Sequence, residues 1–259
     1  MKDIIESHPG KPLIQHLKEV GSIVRSTIEG KRIDFSLHLD DAYYDINKPV
    51  LDLAYFTGAF HDIGKSTFYF QDYIEYPEDK HNDKKKSHAL LSALFAYFIS
   101  SKYLQDTNLP ENIKQLLAIF TYSAVKRHHG KLGNLSDEVI LDAETRTLMT
   151  DQITHIPEKE TIVIIDELIN GFSFSVKWQD FIFFVTNQEY DELFEEFAFD
   201  FLDIDYLELR PDTKLTLFYL HQFLYSGLLF GDKNDVITNN KQNFILPSNI
   251  LDAIKNYRN

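Results

Sequence analysis

Five stretches of this chain repeat apolar residues at intervals of three and four, and each carries or ends on a histidine or an aspartate. That period predicts helices with one buried face. The chain is thereby constrained to a helical bundle in which chemistry-bearing side chains arrive from separate helices. Residues 12–29 put Leu13, Leu17, Val20 and Val24 on one face, with His16 on the neighbouring stripe. Asn47 and Pro49 start a second helix through Leu53, Phe56 and Phe60, which Gly64 is expected to end, leaving His61 and Asp62 in its last turn. Ser87 is expected to cap a third, through Leu91, Leu94, Phe95, Phe98 and Ile99, with His88 in its opening turn. Pro110 precedes a fourth, whose face Ile113, Leu117, Phe120, Ala124 leads to His128 and His129 before Gly130. Residues 213–232 form the last, expected to end at Gly231-Asp232.

The expected class is all-α, one domain over residues 1–259 with a less regular elaboration at about 132–211. Within it TIVIIDELI and FSFSVKWQDFIFFV fit short strands and buried helices equally well, and Glu189 to Leu209 is acidic and aromatic. An apolar content of 44% over 259 residues is enough to build a substantial core. No apolar run reaches membrane-spanning length, and MKDIIESHPGK lacks the basic-then-apolar order of a secretory signal. A cytoplasmic protein is the expectation. With no cysteine, disulfides and thiolate metal sites are excluded.

Seven residues at the helix positions above, His16, His61, Asp62, His88, His128, His129 and Asp232, are of the types that bind divalent transition metals. A single histidine on a half-apolar helix is more often a core or surface residue than a ligand. Here that bland explanation would have to hold for every one of them. A carboxylate adjacent to a histidine, as in His61-Asp62, suits a bridge between two ions, and two ions suit phosphodiester hydrolysis. The remaining histidines, His8, His38, His81 and His155, follow no such pattern. His221 shares a helix face with Asp232 but stands eleven residues, roughly 16 Å, away, so it is assigned a structural role.

The net charge of -14 argues against a polyanionic substrate only until its distribution is considered. Between Asp180 and Asp212 there are eleven acidic residues and one basic, Arg210. Lys80, Lys84, Lys85 and Lys86 lead up to His88, while Lys126, Arg127 and Lys131 flank His128-His129. Each cluster alone fits a solvated surface, but their shared nearness to the ligands favours a polyanion. Nucleotide triphosphate hydrolysis is not expected: Gly64-Lys65-Ser66 lacks the glycine a P-loop needs at position 59, which is alanine.

The ordered set of HL..V around His16, HDIGK followed by Phe70-Gln71, SHALLSA around His88, HHG at 128–130 and GLLFGDKND around Asp232 resembles the HD nuclease domain of the type I CRISPR helicase-nuclease. The resemblance spans roughly Leu13 to Asp235, and it implies an HD-domain helical fold. It further implies that His16, His61, Asp62 and Asp232 hold one ion and His88, His128 and His129 a second. Asp62 would bridge them and Lys65 would face the scissile phosphate. Implied with these are two divalent ions (Mn, Mg, Co, Ni or Fe), endo- or exonucleolytic hydrolysis of single-stranded DNA, and a prokaryotic cytoplasmic setting. The implied partners are a CRISPR helicase, as a separate chain or a further domain, and a CRISPR surveillance complex. Two alternatives stay open at this point. One is an HD phosphohydrolase acting on a nucleotide or cyclic dinucleotide, although the GYP continuation of the cyclic-dinucleotide branch is replaced here by HHGKLGNL. The other is a non-enzymatic nucleic-acid- or protein-binding module, which would be expected to have lost ligands.

Overall fold

The computed structural model describes residues 4–39, 41–78, 84–198 and 208–239, with side chains as far as 235. Lys80, His81 and residues 199–207 of the acidic stretch lie outside the described residues. A hairpin of β1 (Glu6–His8) and β2 (Lys11–Pro12) leads into α1 (Leu13–Glu29), and a second of β3 (Ser36–Leu39) and β4 (Ala42–Asp45) leads into α2 (Asn47–Phe60). Then follow α3 (Phe68–Glu75), α4 (Ala89–Leu104) and α5 (Glu111–Lys126). The middle of the chain forms α6 (Leu135–Val139), α7 (Ala143–Thr154), α8 (Glu158–Ile169), α9 (Trp178–Thr186) and α10 (Glu189–Glu196), and α11 spans Pro211–Asn239. The class is all-α, with the two short hairpins as additions the helical periodicity did not announce.

Burial follows composition. α1 has a single buried face of Leu13, His16, Leu17, Val20, Gly21, Val24 and Ile28, whereas every residue of α4 from Leu91 to Ser100 is buried, which its nearly unbroken apolar sequence permits. α1 packs on α2 and α4 on α5, and α11 lies against α1, α5 and α2. The α1/α2 crossing is set by two glycines: a methyl added to Gly58 would sit 2.8 Å from Gly21 Cα and 2.8 Å from the Val20 carbonyl oxygen. Only at that closeness do His16 and His61 come together, with ring centroids 5.0 Å apart.

Helix ends differ from expectation in an informative way. α2 stops at Phe60, His61 takes the C-cap position, and Ile63–Ser66 forms a separate 3₁₀ turn. Gly64 is required there by proximity: an added methyl would meet the His88 carbonyl oxygen at 2.6 Å. α4 is capped by His88 rather than Ser87, and α5 stops at Lys126, so His128 and His129 lie in the turn beyond it. α11 continues past Asp232 to Asn239, leaving Asp232 in its interior. Both ambiguous apolar segments are helical where regular, as α8 and, from Trp178, α9. Their aromatic side chains fasten the elaboration to the bundle: Phe181 packs 4.5 Å from Phe95 of α4, and Phe172 4.7 Å from Phe56 of α2.

Candidate metal centre

All seven candidate residues converge, from α1, the turn after α2, the start of α4, the turn after α5 and α11. They make two groups, His16, His61, Asp62 and Asp232 in one and Asp62, His88, His128 and His129 in the other, with the ligand atoms of each group within 4.8 Å of one another. Asp62 belongs to both and divides its oxygens between them. Oδ2 lies 3.2 Å from His16 Nε2 and 3.3 Å from His61 Nε2, while Oδ1 lies 3.0 Å from His88 Nε2 and 3.3 Å from His128 Nε2. Asp232 Oδ1 completes the first group at 3.5 Å from His61 and 3.7 Å from His16, and His129 Nε2 joins the second at 3.0 Å from His88 Nε2. His16, His61, Asp62 and His128 form a buried floor. His129 is exposed and Asp232 part-exposed, so the site opens to solvent on their side.

Histidine tautomers follow from what the other ring nitrogen touches. His61 Nδ1 is 2.7 Å from the Gly58 carbonyl and His128 Nδ1 is 2.6 Å from the Val125 carbonyl; carbonyls only accept, so both Nδ1 atoms donate and both Nε2 atoms face inward. His61 Nε2, His128 Nε2 and Asp62 Oδ1 are buried and make no hydrogen bond. Buried polar atoms left unpaired in this way ordinarily cost ~1–3 kcal/mol each, and their convergence on one point fits a cation. An all-imidazole and carboxylate donor set fits Mn, Fe, Co or Ni better than the oxygen shell of Mg.

The electrostatics point the same way. Burial lowers the His61 pKa, but the Asp62 and Asp232 carboxylates outweigh it and raise the imidazole to about 10. Burial likewise opposes ionisation of Asp62, yet His61, Lys65 and His88 hold it well below the usual carboxylate range. Asp232 is lowered against burial, through His61. In the second group the balance reverses: burial lowers His88, and burial with His128 and His88 lowers His129 to about 4. One group thus attracts positive charge, while in the other His88 and His129 are held towards the neutral form. Lys65 Nζ rests 2.6 Å from Asp62 Oδ2, at the mouth of the first group.

Several residues to which the sequence assigned no role support the site. Gln71 donates to the carbonyls of Lys65 at 2.7 Å and Glu6 at 2.9 Å, tying the HDIGK turn to β1, and Phe70 packs edge-on against His88 at 5.0 Å. Ser92 Oγ accepts from the Gly64 amide at 2.9 Å. Gln152 of α7 donates to the carbonyls of Lys85 at 2.8 Å and Ser87 at 2.6 Å, so the elaboration steadies the approach to His88. Asp235, one turn beyond Asp232, contacts His16 Nδ1 at 2.7 Å. The repeated acidic residue in GDKND was the available signal for it. The flanking cations are less free than their sequence suggests. Lys84 pairs with Glu144 at 2.5 Å, Lys85 with Asp151 at 3.1 Å, and Lys126 and Arg127 with buried Glu138 at 3.3 and 2.6 Å. His221 lies away from the site, stacked on Phe120 at 4.7 Å with Nε2 3.2 Å from Ser123 Oγ.

A helical bundle that focuses five histidines and two aspartates, one of them shared, defines a metal-dependent phosphohydrolase of the HD class. Residues 5–230 match the family model for the Cas3 HD domain, and the chain belongs to that family. Among solved structures, the CRISPR-associated Cas3 HD domain protein of Methanocaldococcus jannaschii is similar at 16% identity and a TM-score of 0.45, covering 88% of this chain and 100% of its own. No curated protein sequence matches. Among the described residues, no helix is long and apolar enough to cross a membrane.

Proposed function

We propose that this chain is a single-strand-specific DNA phosphodiesterase that uses two divalent ions, held by His16, His61, Asp62 and Asp232 and by Asp62, His88, His128 and His129. The observation that carries this is the division of the Asp62 oxygens between two sets of inward-facing imidazoles, two of which, His61 and His128, turn inward an Nε2 atom that makes no hydrogen bond. When bound, a pair of such ions lowers the pKa of a water and offsets charge gathering on a phosphoryl group. Asp62, ionised and buried, would hold both ions through its two oxygens. The carbonyls behind His61 and His128 fix those rings, so that little rearrangement is needed as the ligands bind. His129 and Asp232 border the open side from which a phosphodiester would enter, and Lys65, held over the Phe70 ring at 5.2 Å, is within reach of its non-bridging oxygens.

The same floor, recessed among helix ends, favours a strand that bends freely over a stiff duplex. Membership of the Cas3 HD family supports a reading in which a CRISPR helicase and a surveillance complex deliver the single strand. The test is hydrolysis of single-stranded DNA with added Mn and no ATP, alongside blunt duplex DNA, deoxynucleoside triphosphates and cyclic dinucleotides. Cleavage of the single strand alone, lost in EDTA and restored by Mn, is the expected result. Preference for a nucleotide substrate, or undiminished cleavage in EDTA, would overturn the reading.

A further inference from the structure

His61 and His128 stand just past the ends of α2 and α5, where backbone carbonyls have no helical partner and are free to accept from Nδ1. His16 has no such option. It sits inside α1, where carbonyls are engaged along the helix, so any acceptor for its Nδ1 has to come from another element. The carboxylate of Asp235, buried on α11, lies there: Oδ2 is 2.7 Å from His16 Nδ1. Both Asp235 oxygens are also 2.5 Å from the ammonium of Lys11, itself buried, and Lys11 reaches Glu19 Oε2 at 2.7 Å. On its other side the His16 ring presents Nε2 to Asp62 and Asp232.

We propose that Asp235 is a positioning residue for His16. It accepts the Nδ1 proton, leaves the Nε2 lone pair aimed into the first ligand group, and is itself held in place by Lys11. A carboxylate behind a metal-binding imidazole fixes the tautomer and increases ligand basicity, with losses of 10- to 100-fold in metal affinity when such a partner is removed. The tautomer is a property of the protein alone. Only the consequence for metal affinity rests on the two-ion reading above.

The experiment combines ring-nitrogen NMR of histidine-labelled, metal-free protein with titration of Mn. In the wild type, neutral His16 should carry its proton on Nδ1. In Asp235→Leu/Lys11→Met, which removes both buried charges together, the ring should lose that fixed tautomer and Mn affinity should fall about 10- to 100-fold. Asp235→Asn retains a carbonyl acceptor, so it should keep the tautomer and recover part of the affinity. An Nε2–H ring in the wild type would overturn the proposal, as would wild-type tautomer and affinity in the double variant. Protein that shows the Nδ1–H ring but binds no Mn would support the hold of Asp235 on His16 while overturning the metal reading.

Discussion

At the residue scale the centre depends on one side chain more than any other. Asp62→Ala should abolish hydrolysis and empty both ligand groups, because two cations at about 4 Å would repel by several kcal/mol without the shared carboxylate. At 1.36 kcal/mol per decade that is a loss of at least roughly 10³-fold. His88→Ala, which touches one group only, should retain more activity and about half the bound metal. Equal damage from both, measured by metal analysis and single-strand cleavage, would contradict the bridge. His221 offers a test away from the site. Burial pushes its imidazole down to about 4 from an ordinary 6.5, with Glu138 pulling weakly upward, so the ring is neutral in the folded protein. Its contribution is fully present above pH 6.5 and is lost as pH falls from 6.5 towards 4, where the unfolded chain binds the extra proton. The loss is at most on the order of 3 kcal/mol. His221→Gln, which keeps a polar group near Ser123, should flatten that limb in urea titrations between pH 7 and 4; a parallel limb would assign the acid sensitivity elsewhere. The seven residues that the fold brings together were legible as candidates because imidazoles and carboxylates recur at helix positions in one order. Asp235 was not, since an acidic residue on a helix is normally solvated. The partners of the flanking cations, Glu138, Glu144 and Asp151, were hidden because pairing over long sequence distances leaves no periodic trace.

At the element scale the site is made by close approaches of backbone. Gly58→Ala forces a methyl into the α1/α2 crossing and should cost about 1–3 kcal/mol, read as a drop of several degrees in thermal midpoint with activity impaired in proportion. Gly64→Ala acts more locally, against the His88 carbonyl and Ser92, so it should reduce cleavage further than it reduces stability. If the two variants show the same ratio of lost activity to lost stability, the HDIGK turn has no special part in placing His88. The helices themselves were legible from apolar spacing, but their ends were not. His61, His88 and His128 sit at or beyond termini set by the neighbouring turn, which sequence punctuation at Gly64, Ser87 and Gly130 marks only to within a few residues.

At the scale of the whole molecule, the elaboration and the bundle share buried aromatic contacts, and we propose that they unfold as one domain. Trp178, the single tryptophan, lies in α9 with its ring 6.1 Å from Phe95 of α4, so its fluorescence reports the seam while far-ultraviolet dichroism reports all helices. Coincident thermal transitions are expected; an earlier fluorescence transition would make the elaboration a separate unit. The first and last candidate ligands, His16 and Asp232, are far apart along the chain yet stand 3.7 Å apart in space. A ribosome adding 5–20 residues each second needs roughly 5–20 s to travel from His129 to Asp232. During that interval six of the candidate ligands have been synthesised while the seventh, together with the carboxylate behind His16, has not. The nascent chain therefore lacks one of the seven candidate ligands until α11 is made, and a centre built on this plan should form only once that helix has docked.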